Sequence, residues 1–281
     1  MRRLIAKIWC GMMARYDAKS EAGRTLPGGI AEERDVPVPG GQLLDFYRPE
    51  GSGGLPLVVD VHGGGLMYGN KELNKRFCYA IASLGYEVAN VDYRLAPAAD
   101  LRDMVSDVCR AVRFAVRMRP ADKFILAGDS AGAFLALTAD AAAKCPEVRE
   151  AFGLTERDVG RPADGLLLVS GMYCFRKSGA RALAGVPVGK GGYMKYTYMP
   201  ALLDVYSPPP MFMTSSEGDF LRRASLRADA LLTERGVPHK FDYKGKSAGG
   251  HKYVHVYPVR DPEWRESREL LARGMTYLTK M

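Results

Sequence analysis

Histidine is scarce in this chain. Four occur in 281 residues, so any chemistry that needs an imidazole has four candidates. Long apolar runs are also missing. No stretch approaches the ~20 uninterrupted apolar residues that span a bilayer, so stable membrane insertion is not expected. There is no CxxC pair. The five cysteines (Cys10, Cys78, Cys109, Cys145 and Cys174) are odd in number, which argues against a disulfide framework or a zinc site and suits a reducing, cytoplasmic compartment. Lysine and arginine outnumber the acids 40 to 32, for a net charge of +8. Yet no run of five like charges and no nucleic-acid motif accompanies the excess. It reads as a solvated basic surface, and a nucleic-acid partner is not expected. Repeats, low-complexity tracts and interdomain linkers are absent too.

What is present is a folded-protein composition, 47% hydrophobic and 26% charged, with strand-like and helix-like runs in alternation. PLVVDVH (56–62), YEVANVDY (86–93), FILAGDS, GLLLVSG (165–171), MFMTSS (211–216) and HKFDYKG (239–245) read as strands. DMVSDVCRAVRFAVRMR (103–119), AGAFLALTADAAAK, Arg222–Arg235 and Arg265–Thr279 read as helices. This rhythm predicts an α/β fold with a mostly parallel sheet and helices on both faces. Two segments break it. At the N-terminus, Leu4, Ile5, Ile8, Trp9, Met12 and Met13 recur at helical spacing. Lys7 interrupts the linear apolar run. An amphipathic helix packed on the domain is expected here, not a cleaved signal. The second segment, about 172–210, is too long for a structureless loop and predicts a lid over a site. The expected organisation is a cap segment over 1–38 and a main α/β domain over 39–281 with that lid inserted.

The motif Gly-x-Ser-x-Gly occurs twice, and context separates the copies. In FILAGDSAGAFLAL a strand runs into Gly128-Asp129-Ser130-Ala131-Gly132 and a helix follows. This strand–turn–helix is what an exposed nucleophilic serine requires. Gly245-Lys246-Ser247-Ala248-Gly249 follows a strand, but Gly249, Gly250 and an aromatic-rich run after it forbid a helix. Ser130 is therefore the nucleophile candidate and Ser247 a loop serine. In VDVHGGGLMYG (59–69) three glycines follow a strand. Their bare N–H groups suit an oxyanion hole, with Gly63, Gly64 and Ala131 as the expected donors and His62 as a brace. Tyr93 and Arg94 of DYRLAP read as structural. Asp219, past the MFMTSS strand, is the candidate acid, with Glu217 as runner-up. Its position also allows it to cap the helix at 222–235.

HGGG at 62–65, DYRLAP at 92–97, GDSAG at 128–132, the late Asp and the His beyond the last strand together resemble the hormone-sensitive-lipase-like esterases, within the α/β-hydrolase superfamily. The resemblance runs from about residue 40 to the C-terminus. It implies a serine carboxylesterase with an N-terminal helical cap and no cofactor, acting on a small-molecule ester. An arylformamidase-type amidase on the same residues, or an inactive binding module, are the alternatives. It also implies a homodimer paired through the edge strand near 239–245. Two departures concern the substrate pocket: Ala133 stands where the family commonly has glycine, and the loop after DYRLAP is short. The base must lie beyond the strand ending near Lys244, which leaves His251 and His255. The resembling family has x-aromatic after the histidine and about ten residues before the final helix, and His255-Val256-Tyr257 fits. Gly249 and Gly250 also make His251 a poor place to hold an imidazole to the ~0.5 Å a catalytic site needs. His255 is the expected base.

Overall fold

The computed structural model describes residues 10–15, 17–18, 23–173, 192–248 and 250–281. Its chain order is β1 (Ile30–Pro37), β2 (Leu43–Pro49), β3 (Leu57–Val61), α1 (Lys75–Ala82), β4 (Glu87–Val91), α2 (Leu101–Met118), β5 (Phe124–Asp129), α3 (Ala131–Lys144), α4 (Pro146–Ala151), β6 (Gly165–Val169), α5 (Met199–Leu203), β7 (Met211–Ser216), α6 (Arg222–Glu234) and β8 (His239–Lys244). A two-residue hairpin, β9 (Ser247–Ala248) and β10 (His251–Lys252), then leads to α7 (Tyr257–Arg260) and α8 (Arg265–Lys280). Eight strands form one sheet in the order β1-β2-β4-β3-β5-β6-β7-β8. β1 and β2 pair antiparallel, β2 joins β4 antiparallel, and every later neighbour is parallel.

The near-continuous apolar strands are those covered on both faces. Along β3, Val58 enters one core and Val59 and Val61 the other; along β5, Ile125 and Ala127 oppose Leu126. One core lies under α2 and α3, and the other holds Phe77 and Ile81 of α1 with Leu270, Leu271 and Met275 of α8. Each such side chain, fully buried, is worth about 1.5–3 kcal/mol. At the start of α2, Asp100 accepts from the Arg102 and Asp103 backbones while the Asp103 carboxylate accepts from the Asp100 backbone. Such a capping box stabilises a helix start by about 1 kcal/mol. Arg94 donates three times to Asp107 of α2, twice from its guanidinium and once from its backbone N–H, and so fastens the chain leaving β4 onto that helix.

The boundary at residue 38 falls after β1, which is an edge strand of the main sheet. Its sequence IAEERDVP is largely exposed and so shows no apolar alternation. In the N-terminal stretch, residues 1–9, 16 and 19–22 lie outside the described residues, including Leu4, Ile5, Ile8 and Trp9. Residues 10–15 are helical, but Met12 is 64% exposed, while the Cys10 thiol donates to the Met67 carbonyl at 3.6 Å. The expected lid over 172–210 lies partly outside the described residues, at 174–191; α5 lies within it. No helix among the described residues is long and apolar enough to cross a membrane.

Candidate active site

β5 is central in the sheet, and its C-terminal end is where an open parallel sheet offers a crevice. The chain leaves it through Ser130 at φ 51° and ψ −113°, a conformation that costs about 1–3 kcal/mol and persists only where the surroundings hold it. Here they do. The Ser130 N–H donates to Val169 O at 2.8 Å, and the Met172 N–H donates to Ser130 O at 2.9 Å. Gly132 explains the second glycine of the motif: a Cβ there would meet the Val61 carbonyl oxygen at 1.9 Å. Only glycine lets α3 start this close to β3.

Ser130, Asp219 and His255 meet. His255 Nε2 lies 2.9 Å from Ser130 Oγ, and its Nδ1 donates to Asp219 Oδ1 at 2.7 Å. With Nδ1 protonated, Nε2 is free to accept the serine proton. Asp219 is fully buried. Burial alone would raise its carboxyl, but the His255 hydrogen bond and charge, the Leu221 N–H and the Ser215 hydroxyl hold it below its ordinary value. Asp219 also accepts from the first turn before α6, so its structural and site positions coincide. Glu217 accepts instead from the Lys246 backbone.

The other histidines are committed elsewhere. His62 is fully buried, donates through Nδ1 to Gly63 O at 2.9 Å and stacks on Tyr93. Burial pushes its imidazole down to about 4, so it stays neutral. Tyr93 in turn donates to the His62 and Gly63 carbonyls. His239 joins Val237 O and Asp229. His251 stacks on Trp264 with ring centroids 4.0 Å apart. Ser247 lies exposed in the β9–β10 hairpin.

The oxyanion donors need one correction. The Gly63 N–H donates to Asp129 Oδ1 at 2.8 Å, so it is spent on the protein and is not available to a substrate. Among the described residues, the N–H groups of Gly64, Gly65 and Ala131 have no acceptor. Gly64 has φ +98°, and a Cβ there would meet Tyr68 O at 1.9 Å, so the loop turns back through glycine to present these donors. Gly65 therefore replaces Gly63 in the candidate set.

Three further groups shape the site and were missed in the sequence. Asp129 anchors the glycine loop and, with Asp60, shares the Asn74 amide at 2.9 and 2.7 Å. The Ser170 hydroxyl accepts from the Val256 N–H at 3.2 Å, and the Ser216 hydroxyl donates to Tyr253 O at 2.7 Å. Together they fix the backbone on both sides of His255. A carboxylate ending a buried apolar strand was the available signal for Asp129; the serines carried none. Among the described residues, no group of His, Cys, Asp or Glu is arranged to hold a metal ion.

Comparison with known proteins agrees with the fold. A family profile described as the α/β-hydrolase fold matches residues 58–255. The chain is 28% identical over 254 residues to versiconal hemiacetal acetate esterase of Dothistroma septosporum, covering 82% of this chain and 77% of that protein. It is 33% identical over 138 residues to kynurenine formamidase of Danio rerio, covering 47% of this chain and 43% of that one. In fold it resembles esterase B from Lactobacillus rhamnosis, solved with a tributyrin phosphonate inhibitor: TM-score 0.91 at 24% identity, over 99% of this chain and 94% of that chain.

Proposed function

Because the chain belongs to the α/β-hydrolase fold family, we propose that it is a serine carboxylesterase that hydrolyses short-chain acyl esters, acetyl esters among them, through an acyl-enzyme intermediate. The observation that carries this reading is the unbroken hydrogen-bond chain Ser130–His255–Asp219 at 2.9 and 2.7 Å. Ser130 Oγ attacks the ester carbonyl carbon as His255 Nε2 takes its proton. Asp219 holds the imidazole in the tautomer that accepts there and stabilises the imidazolium that forms. The carbonyl oxygen, now negative, is met by the N–H groups of Gly64, Gly65 and Ala131, and each such donor is typically worth about 10²–10³ in rate. The carbon–alkoxide bond then breaks, and the proton passes from Nε2 to the departing alcohol. Water repeats the sequence on the acyl-enzyme and releases the acid.

The acyl preference is supported by the acetate esterase relative and by the tributyrin-like inhibitor of the structural neighbour. Ester rather than amide chemistry is favoured because the match to the formamidase spans less than half of either chain. In the same reading, the described residues ahead of β1 and residues 192–210 border the site and limit chain length. The protein works in the cytoplasm, consistent with Cys10, Cys78, Cys109 and Cys145 as free thiols. It pairs as a homodimer through β8, an edge of the sheet. The deciding experiment is fluorophosphonate labelling located by peptide mass, with a panel of short acyl esters and N-formyl amides. Label on Ser130 with ester turnover is the expected result. Amide turnover that exceeds ester turnover, or no label, refutes the reading.

A further inference from the structure

Phe220 stands directly after the candidate acid, yet the two side chains go opposite ways. Asp219 is fully buried, whereas Phe220 is 69% exposed, the most exposed of the large apolar side chains among the described residues. The turn that separates them is tightly held. The Asp219 N–H donates to Ser216 O, and the Leu221 N–H donates to Asp219 Oδ1. A single exposed apolar residue is ordinary. What sets Phe220 apart is its contact: its ring lies 4.1 Å from the His255 ring, tilted by 42°. One face of the phenyl ring meets the imidazole and the rest is open to solvent.

The chemistry of the reading above says which part of a substrate meets that surface. The imidazolium must deliver its proton to the alkoxide oxygen as the carbon–oxygen bond breaks, so that oxygen lies within hydrogen-bond reach of Nε2. The group attached to it extends along whatever flanks the imidazole. The carbonyl oxygen points instead to the glycine loop and α3. We propose that Phe220 is the wall that receives the alcohol portion of the ester, and that it sets leaving-group selectivity toward aryl and other apolar alcohols without setting acyl selectivity. The proposal rests on the esterase reading.

The test compares wild type, Phe220→Ala and Phe220→Tyr on two series: ethyl, butyl and benzyl acetate, and benzyl acetate, butyrate and hexanoate. The rate of fluorophosphonate labelling serves as a measure of Ser130 reactivity. Phe220→Ala should lower kcat/KM for benzyl acetate about 3- to 10-fold relative to ethyl acetate, the range of an aromatic contact. Its acyl ratios and labelling rate should match wild type. Phe220→Tyr should keep the wild-type alcohol ratio. Where deacylation limits turnover, kcat should be equal for all acetates, since the acetyl-enzyme is common to them. An unchanged alcohol ratio, an altered acyl ratio, or an equal loss for every ester and for labelling overturns the proposal and leaves the esterase reading intact. A wild type that neither labels nor turns over any ester brings down both.

Discussion

Replacing Asp60 by asparagine should make the protein more stable at alkaline pH and less stable at acid pH. Asp60 sits on β3 with its carboxyl fully buried. Its Oδ2 accepts from Asn74 at 2.7 Å, and its Oδ1 has no partner. Burial first, then the charge of Asp129, push its carboxyl from an ordinary 3.8 up to about 7. The folded chain therefore keeps a proton between those values that the unfolded chain has lost. Stability falls as pH rises through that interval and is flat above it. The displacement corresponds to about 4 kcal/mol lost by pH 8. An amide carries no such titration. Its oxygen can take the place of Oδ2, while its NH₂ replaces the unpartnered Oδ1 and leaves an orphan donor costing about 1–3 kcal/mol. The net result is a gain of about 1–3 kcal/mol at pH 8 and a similar loss near pH 4. At roughly 2–4 °C per kcal/mol, melting followed by circular dichroism from pH 4 to 9 resolves the two curves. They should cross. Curves separated by a constant offset would refute the assignment of a neutral Asp60 at acid pH.

Ser130→Ala should lower kcat by about 10⁴ without loss of fold, as removal of a triad member does, while Ser247→Ala, in the exposed hairpin, should cost little; inhibitor mass on the peptide carrying Ser247 would reverse this. His255→Ala should abolish turnover, whereas His251→Ala should retain about a tenth or more and lose the stack on Trp264, worth about 0.5–1.5 kcal/mol of stability. Steady-state kinetics with the pattern reversed would move the base to His251. Light scattering at micromolar concentration should give a dimer, and a monomer would remove β8 as the pairing edge.

The parts of the fold that could be read from the chain are those whose physics is local. β3, β5, β6 and β7 are covered on both faces, so they appear as apolar runs whatever their order. β1 could not be read, because an exposed edge strand such as IAEERDVP needs its partner β2 to be recognised. The same division runs through the site. The turn at Ser130 is written in adjacent residues, with Gly132 answering to a backbone contact at β3. The glycine loop is different. Which of its N–H groups is free depends on Asp129, 66 residues away from Gly63, and three glycines in a row look alike until that carboxylate is in place. Likewise His251 and His255 share the same aromatic spacing. Trp264 engages one of them and Ser130 the other, and neither partner is adjacent in the chain.

His255 lies 125 residues beyond Ser130 and 36 beyond Asp219, and Ser216 and Ser170 fasten its loop to β7 and to the end of β6. Synthesis delivers the chain from its N-terminus, so Ser130 emerges with its turn and helix long before an imidazole is available to it. Until almost the whole sheet is assembled, the serine is an ordinary alcohol. In the proposed mechanism reactivity would appear in one late step, and a partly made or truncated chain would carry a serine that attacks nothing. For the experimenter, covalent labelling of Ser130 would then double as a count of completed molecules.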